Sequence, residues 1–195
     1  MENSRVLFVL YGNQNQGKST TLRLLASLLA GGENYQSLLA TIKQVLKSKK
    51  NWYKDTCFIL KYQKKSVYIA TGGDSWVICR KNCEFFDGNF HSQLNIYEIS
   101  SNGIRLLSTD DKLPYKGNAA DICITACRPK GDGTGAGKAV QTYCEKRFDD
   151  FNYQIWIRKY SDKANKSDDI ALEKQDKECA DKIKKMIDDF VNHNM

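Results

Sequence analysis

The chain has 195 residues, a length that suits one domain with its own hydrophobic core, and we expect residues 1–195 to form that domain. Its hydrophobic fraction of 41% is ordinary, and no apolar run is as long as a membrane span, so we expect no membrane partner. The net charge is +7, and seven cysteines without the spacing of small secreted domains argue against a disulfide scaffold. We therefore expect no secretory signal and a cytoplasmic location.

The first predicted elements are a strand, a glycine-containing loop and a helix. Val6–Tyr11 are apolar and rich in β-forming residues, which predicts a buried strand. Thr20–Ala30 are strong helix formers and are followed by two glycines, which indicate the end of a helix. Between them, Gly12–Ser19 have the sequence GNQNQGKS, which matches the pattern G-x-x-x-x-G-K-[ST] in the context that this pattern requires.

The residue types of this segment, called the glycine loop below (Gly12–Ser19), suit a polyphosphate. Backbone N–H groups of the loop and of the helix start can surround phosphate oxygens, and Gly12 and Gly17 allow that close approach. We expect Lys18 to contact the β and γ phosphates and the Ser19 hydroxyl to bind Mg²⁺, which prefers hard oxygen ligands. The predicted nucleotide-binding residues are Gly12, Asn13, Gln14, Asn15, Gln16, Gly17, Lys18, Ser19 and Thr20.

Residues 5–31 resemble the P-loop NTPase superfamily, and Gly12–Ser19 match its Walker A motif without a departure. The resemblance implies a three-layer, Rossmann-like α/β core with a mostly parallel sheet. It also implies binding of a nucleoside triphosphate with Mg²⁺, and phosphoryl chemistry or a nucleotide switch. It is specific to this motif and its strand and helix, and it does not select a family within the superfamily.

The next segments predict a helix and a basic hairpin. Glu33–Lys47 have apolar residues at helical spacing, and Thr56–Tyr62 and Ser66–Thr71 indicate an antiparallel hairpin. Lys43–Lys65 carry eight lysines against one acid, Asp55. The basic segment could bind nucleic acid by phosphate attraction and base stacking, or it could be a solvated surface whose aromatic side chains turn inward. Its interleaved aromatic residues are Trp52, Tyr53, Phe58 and Tyr62.

The second strand of this hairpin leads through two glycines to Asp74, the predicted catalytic and metal-binding acid. An acid at the carboxyl end of a neighbouring strand could complete the Mg²⁺ shell with Ser19. In the superfamily this acid normally ends the apolar run directly, so the alternative is that Asp74 only forms a turn or caps the following helix. Asp110 and Asp111 are the reserve candidates.

Later segments predict a helix over Trp76–Phe86 and an apolar strand over Asp121–Cys127. Residues 94–109 predict a second hairpin, with a helix and a strand as the alternative. Arg128 ends that strand, and we expect it to contact the γ phosphate as a catalytic group. Residues 128–138 could be a lid that brings phosphate-binding lysines to the nucleotide, or an ordinary surface loop. The lysines are Lys130 and Lys138.

The last predicted elements are a helix over Ala139–Phe148, a strand over Tyr153–Lys159, and a long helix over Ser167–His193 that docks on the sheet. Two C-x-x-x-C pairs could place thiolates together for a metal ion. Cysteines in apolar segments more often pack as small hydrophobic side chains, which we expect here. The pairs are Cys79 with Cys83 and Cys123 with Cys127.

Three functions remain open at this stage. The first hairpin resembles the arrangement of small GTPases, but Gly72-Gly73-Asp74 stand where those proteins have D-x-x-G. The strand that ends at Arg128 is not followed by their N-K-x-D, which favours ATP over GTP. We expect an ATP- and Mg²⁺-binding protein with slow NTPase or switch activity. It would act on a macromolecular partner, which could be another protein. The alternatives are a small-molecule or nucleotide kinase whose lid is residues 128–138, and a nucleic-acid-associated NTPase that uses Lys43–Lys65.

Overall fold

The structure, a computed structural model, describes residues 5–13, 16–49, 55–91, 94–100, 103–107, 115, 117–146, 151, 153–159 and 169–193. It is an α/β fold whose seven strands form one mixed, mostly parallel sheet. The strands are β1 (Val6–Tyr11), β2 (Thr56–Tyr62), β3 (Lys65–Ala70), β4 (Asn95–Ser100), β5 (Gly103–Leu106), β6 (Ile122–Cys127) and β7 (Tyr153–Arg158). The helices are α1 (Lys18–Gly31), α2 (Tyr35–Ser48), α3 (Trp76–Phe86), α4 (Ala136–Lys146) and α5 (Asp169–His193).

The strand order determines which residues meet at the carboxyl end of β1. The order is β5-β4-β2-β3-β6-β1-β7, and β1, β3, β6 and β7 run in one direction. Tyr11 at the end of β1 is level with Cys127 of β6 and Arg158 of β7. Because β2 is antiparallel to β3, the residues that precede β2 lie at the same edge as the residues that follow β3. β6 also separates the glycine loop from the strand that leads to Asp74.

Hydrophobic packing on both faces of the sheet makes three layers. The side chains of Phe8 and Leu10 pack in one cluster with α1, α2 and α5, whereas Leu7 and Val9 pack in the other with α3 and α4. A strand that is buried on both faces needs a continuous apolar sequence, which explains the run in β1. Among the described helices, none combines the length and the apolar character needed to cross a bilayer.

Most predicted elements are confirmed, including both hairpins, which form β2–β3 and β4–β5. Two helices begin earlier than predicted. α1 begins at Lys18 instead of Thr20, and α4 begins at Ala136 instead of Ala139. The glycine-rich segment therefore ends at Gly135, and Lys138 is an exposed helical residue rather than part of a lid loop.

The cysteines pack as hydrophobic side chains. Six of the seven are buried, and all six belong to the cluster between the sheet and helices α3 and α4. Burial raises the pKa of the Cys127 thiol to about 12 and that of the Cys144 thiol to about 11, so both thiols stay protonated at neutral pH. The described residues contain no group of three or more histidines, cysteines or acids placed to hold a metal ion.

Candidate functional site

The glycine loop lies at the edge of the sheet where β1, β6 and β7 end. The Gly12 N–H donates to the Cys127 carbonyl at 3.2 Å, which fixes the start of the loop against β6. Gly17 has a φ of 73°, in the left-handed region that favours glycine, and its carbonyl accepts the Thr21 N–H at 2.8 Å. The first turn of a helix leaves backbone N–H groups unpaired, so this junction can bind an anion.

Lys18 folds back over the loop. Its Nζ donates to the carbonyls of Gly12 at 2.9 Å and Asn13 at 2.7 Å, and only 7% of the residue is exposed. Burial lowers the pKa of the Lys18 ammonium, and the nearby Asp74 carboxylate opposes that shift. The Asn13 N–H donates to the Gln16 side chain at 2.6 Å. A cation therefore lies beside backbone oxygens that a phosphate group could replace. The predicted loop residues outside the described part are Gln14 and Asn15.

A buried ion pair supports the loop from behind. Lys159, at the end of β7, places its Nζ 2.6 Å from Oδ1 of Asp176 in α5, and Lys159 is 4% exposed. The same carboxylate accepts the Thr21 hydroxyl at 2.9 Å. A Cβ atom at Gly17 would lie 2.6 Å from Asp176 Oδ1, so glycine is needed there for close approach as well as for its backbone conformation. One carboxylate thus connects the last strand, the last helix and the glycine loop.

Sequence reasoning missed this pair, although the chain contains a signal for it. Asp176 lies on the same face of α5 as Ala180, Ile183 and Ile187, which are fully buried. A carboxylate on the apolar face of an amphipathic helix is rarely buried without a partner. That position could have marked Asp176, but the spacing along the chain does not identify Lys159 as the partner.

The Ser19 hydroxyl is directed towards the neighbouring strand ends. Ser19 Oγ donates to the Thr71 carbonyl at 2.9 Å, just beyond the end of β3. Thr71 is itself held by Thr56, since the Thr71 N–H donates to the Thr56 carbonyl at 2.9 Å and the Thr56 N–H donates to Thr71 Oγ1 at 3.0 Å. Thr20 follows in the first turn of α1 and is half-buried. The predicted metal-binding hydroxyl therefore lies where β2 begins and β3 ends.

Asp74 and Arg128 are brought together, but they contact each other. Arg128 Nε donates to Asp74 Oδ1 at 3.2 Å, and the Asp74 side chain is 58% exposed. The alternative that Asp74 caps α3 is wrong, because the capping oxygen is Ser75 Oγ, which accepts the Ile78 N–H. Both charged groups of the pair influence the Lys18 ammonium electrostatically, so they lie near the glycine loop.

Close packing requires glycine at the two positions before Asp74. A Cβ atom at Gly73 would overlap the Ala126 carbonyl of β6, and the Gly73 carbonyl accepts the Arg128 N–H at 3.0 Å. A Cβ atom at Gly72 would overlap the Asp55 side chain. The departure from the superfamily pattern at this point therefore lets the chain cross closely over the end of β6.

Asp55 is a second acid at this edge, and sequence reasoning did not select it. It precedes β2, packs against Gly72, and is one residue from Thr56, which holds the carbonyl partner of Ser19. Burial raises the pKa of the Asp55 carboxyl, the charge of Asp74 raises it further, and Arg23 opposes the increase. The predicted hairpin was sufficient to find Asp55, since an antiparallel partner of β3 begins where β3 ends. Asp110 and Asp111 lie outside the described residues.

The segment after Arg128 is an ordered turn rather than an extended loop. Asp132 accepts both the Thr134 N–H at 3.0 Å and the Thr134 hydroxyl at 2.6 Å. Lys130 is exposed. The carboxylate of Asp132 also lies 3.9 Å from Arg128 Nε, so this segment contributes an acid as well as a base to the region in front of the glycine loop.

The described aromatic side chains of the basic segment point inward. Phe58 is fully buried beside Tyr97, and the Tyr62 hydroxyl donates to Asp188 of α5 at 2.5 Å. Phe58 therefore has no exposed face on which a base could stack, and the Lys184 ammonium lies over the Tyr62 ring. Trp52 and Tyr53 lie outside the described residues.

No protein-family model, curated protein or solved structure matches the chain. The arrangement of the chain's own residues around the glycine loop is therefore the basis for inferring its function.

Proposed function

We propose that the chain is a P-loop nucleotide-binding protein that binds a nucleoside triphosphate, ATP in preference to GTP, together with Mg²⁺. The observation that carries the proposal is the position of Lys18. Its ammonium group is buried inside the glycine loop, between a strand end and a helix N-terminus. It lies 2.7 Å from the Asn13 carbonyl and 2.9 Å from the Gly12 carbonyl. A buried cation next to helix amides is a site for polyanionic phosphate.

The oxygen donors beside the loop fit Mg²⁺. The Ser19 hydroxyl, Asp55 and Asp74 are hard ligands of the type this ion takes. Asp55 and Asp74 are close enough for one charge to raise the pKa of the other carboxyl, so a divalent cation would relieve their repulsion. When bound, the ion would neutralise charge on the β and γ phosphates.

The loop amides, Lys18 and Arg128 would each have a separate role at the bound nucleotide. Loop amides and Lys18 bind the phosphates and hold them at the edge of the sheet. Arg128 can leave Asp74 for the γ phosphate, since that ion pair is exposed, and would stabilise charge that develops there. We infer slow NTP hydrolysis or a nucleotide-dependent switch that acts on a macromolecular partner as the activity.

Calorimetry with Mg²⁺ and ATP tests the proposal. We expect measurable heat for the wild-type chain and an affinity roughly 10- to 150-fold lower for Lys18→Ala, because a charged contact to phosphate is lost. Lys185→Ala, which removes an exposed lysine of α5, is the matched control and should bind as the wild type does. Equal affinities of Lys18→Ala and the wild type would refute the site.

One observation favours the kinase alternative, with residues 128–135 as its lid. A groove of about 490 Å³ is lined by Lys130 and by Tyr11, the residue before the glycine loop. That volume is suitable for a small acceptor molecule. Phosphate release without an acceptor supports hydrolysis, whereas ADP formation that depends on an added metabolite supports a kinase. The nucleic-acid alternative has no comparable support among the described residues.

A further inference from the structure

The groove of about 490 Å³ lies between α4 and β7. β7 is the last strand of the sheet, and Ile155 and Ile157 on one of its faces pack in the cluster that contains α5. Alternation along a strand turns Gln154 and Trp156 to the opposite face. That face forms one wall of the groove, and α4, which packs on α3 and β6, forms the other.

The strand side of the groove presents an aromatic surface. Trp156 is 39% exposed, although it is a large apolar side chain in the middle of a strand. Its ring lies 6.1 Å from the ring of Tyr11 at an interplanar angle of 65°, so the edge of one ring meets the face of the other. Such a pair leaves aromatic surface available to a third, planar ring. Tyr11 immediately precedes Gly12, which connects this surface to the glycine loop.

The rest of the lining supplies hydrogen-bonding groups. Gln141 and Glu145 lie one turn apart on α4 and are joined by a 2.7 Å hydrogen bond from the Gln141 amide. Gln154 lies on β7, with its amide 3.4 Å from the Cys144 carbonyl, and Lys130 is at the end nearest the turn after Arg128. Amide and carboxylate groups around an aromatic surface match the polar edge and flat faces of a nitrogen heterocycle.

We propose that this groove binds a nucleobase, stacked on Trp156 and hydrogen-bonded by the side chains of α4 and β7. The proposal depends on the proposed function, because a base ring is expected here only if phosphate occupies the adjacent loop. The ring could belong to the bound triphosphate or to a separate nucleoside acceptor. Both sources require the same recognition, and the experiment separates them.

Tryptophan fluorescence tests the groove directly. The chain has three tryptophans, so Trp52→Phe combined with Trp76→Phe leaves Trp156 as the sole tryptophan. This protein is titrated, in the presence of Mg²⁺, with inorganic tripolyphosphate, ATP and adenosine. We expect saturable quenching by the ligands that contain a base and none by tripolyphosphate, since stacking on the indole is what changes its emission.

Adding Lys18→Ala to this protein identifies the source of the base. If quenching by ATP is lost with Lys18→Ala, the base belongs to the nucleotide held by the loop. If adenosine quenches the protein saturated with tripolyphosphate, and Lys18→Ala leaves that quenching unchanged, the base belongs to a separate acceptor. Either result supports the groove.

Separate outcomes would overturn the two proposals. Failure of every base-containing ligand to quench Trp156, while calorimetry still detects tripolyphosphate, would refute the groove and leave the phosphate site intact. If calorimetry detects no binding of tripolyphosphate while adenosine still quenches Trp156, the phosphate site is refuted and the groove is not.

A matched pair of substitutions in β7 provides a second measurement. Trp156→Leu should weaken binding of the quenching ligand roughly 5- to 150-fold by calorimetry, the range for a lost base–aromatic stack. Tyr153→Leu removes an exposed ring from the other face of the same strand and should leave that affinity unchanged. If both variants fold normally, equal affinities would contradict the proposal.

Discussion

Two ion pairs lie on opposite sides of the glycine loop, and they differ in burial. Behind the loop, Lys159 and Asp176 are 2.6 Å apart and almost inaccessible to solvent. In front of it, Arg128 and Asp74 are 3.2 Å apart, and the acid is more exposed than buried. Breaking a buried pair leaves an uncompensated charge and costs about 3–5 kcal/mol, whereas an exposed pair contributes about 0–1 kcal/mol.

This difference separates the ion pair that supports the loop from the ion pair that would take part in chemistry under the proposed function. Asp176 also contacts Gly17 and accepts the Thr21 hydroxyl, so its position is over-determined. Arg128 can exchange its partner for a phosphate at small cost. We therefore expect changes behind the loop to affect mainly folding, and changes in front of it to affect mainly turnover.

The largest expected effect is that of Asp176→Ala. It leaves the Lys159 ammonium buried without its carboxylate, so the free energy of unfolding should fall by about 3–5 kcal/mol in urea denaturation. Asp181→Ala, which removes an exposed ion pair of the same helix with Lys177, should cost less than about 1 kcal/mol. The double variant Lys159→Met/Asp176→Leu should recover most of the loss, and similar instability of all three variants would contradict this interpretation.

Arg128→Ala should have the opposite profile. Under the proposed function, we expect the rate of phosphate release to fall about 100-fold, because Arg128 would then stabilise charge in the transition state. The free energy of unfolding should change by less than in Asp176→Ala, because the Asp74 carboxylate left behind is exposed to solvent. Steady-state release and urea denaturation of the same preparation measure both quantities. A loss of stability without a loss of turnover would assign Arg128 a structural role instead.

Asp55→Asn sharpens the comparison, since Asp55 is an acid in a partly buried position in front of the loop. Its raised pKa means that the folded state binds a proton more tightly than the unfolded state. Without Mg²⁺, the wild type should therefore lose stability relative to Asp55→Asn as pH rises from the ordinary carboxyl pKa through the raised one. Above that window the variant should be the more stable of the two and should have the higher melting temperature.

Asp55→Asn should also make the rate of phosphate release less sensitive to the Mg²⁺ concentration. A variant that gains stability and loses activity would identify Asp55 as an acid kept for binding rather than for folding. Thermal melting across a pH series, with phosphate release at each Mg²⁺ concentration, tests both expectations. A melting temperature that stays below the wild-type value at every pH would show that the carboxylate is needed for the fold.

The smallest expected effect is that of Asp74→Asn on stability. The Asp74 carboxylate is exposed, and its ion pair with Arg128 lies in front of the loop. The free energy of unfolding should therefore change by less than about 1 kcal/mol. That change should shrink further at high salt, because exposed charges are screened. A loss as large as that of Asp176→Ala would remove the distinction between the two sides.

Local chemistry was enough to predict the central part of the fold. The apolar run of β1, the glycines of the loop and the helix formers of α1 are each determined by neighbours in the sequence, and the structure has them in that order. Strand direction also predicted that Asp74 and Arg128 lie at the same edge of the sheet, because both residues come after parallel strands, but it did not predict their ion pair.

Contacts between distant segments could not be predicted in the same way. Asp176 meets Gly17 and Lys159 only because α5 docks beside α1, and no spacing in the sequence specifies that docking. The prediction that residues 136–138 belong to a lid failed for a different reason. A Cβ atom at Gly137 would lie 2.8 Å from the Arg128 carbonyl, so this glycine serves helix packing rather than loop flexibility.

The buried cysteines give the molecule an intrinsic reporter of opening. A thiol-alkylating reagent can reach the six cysteines between the sheet and helices α3 and α4 only when that layer separates, whereas Cys179 on α5 is partly accessible in the closed state. The chain therefore offers one fast-reacting position and one slow-reacting group in the same experiment. Mass spectrometry of the alkylated protein could follow separation of the layer between the sheet and helices α3 and α4, with the partly accessible Cys179 as the reference.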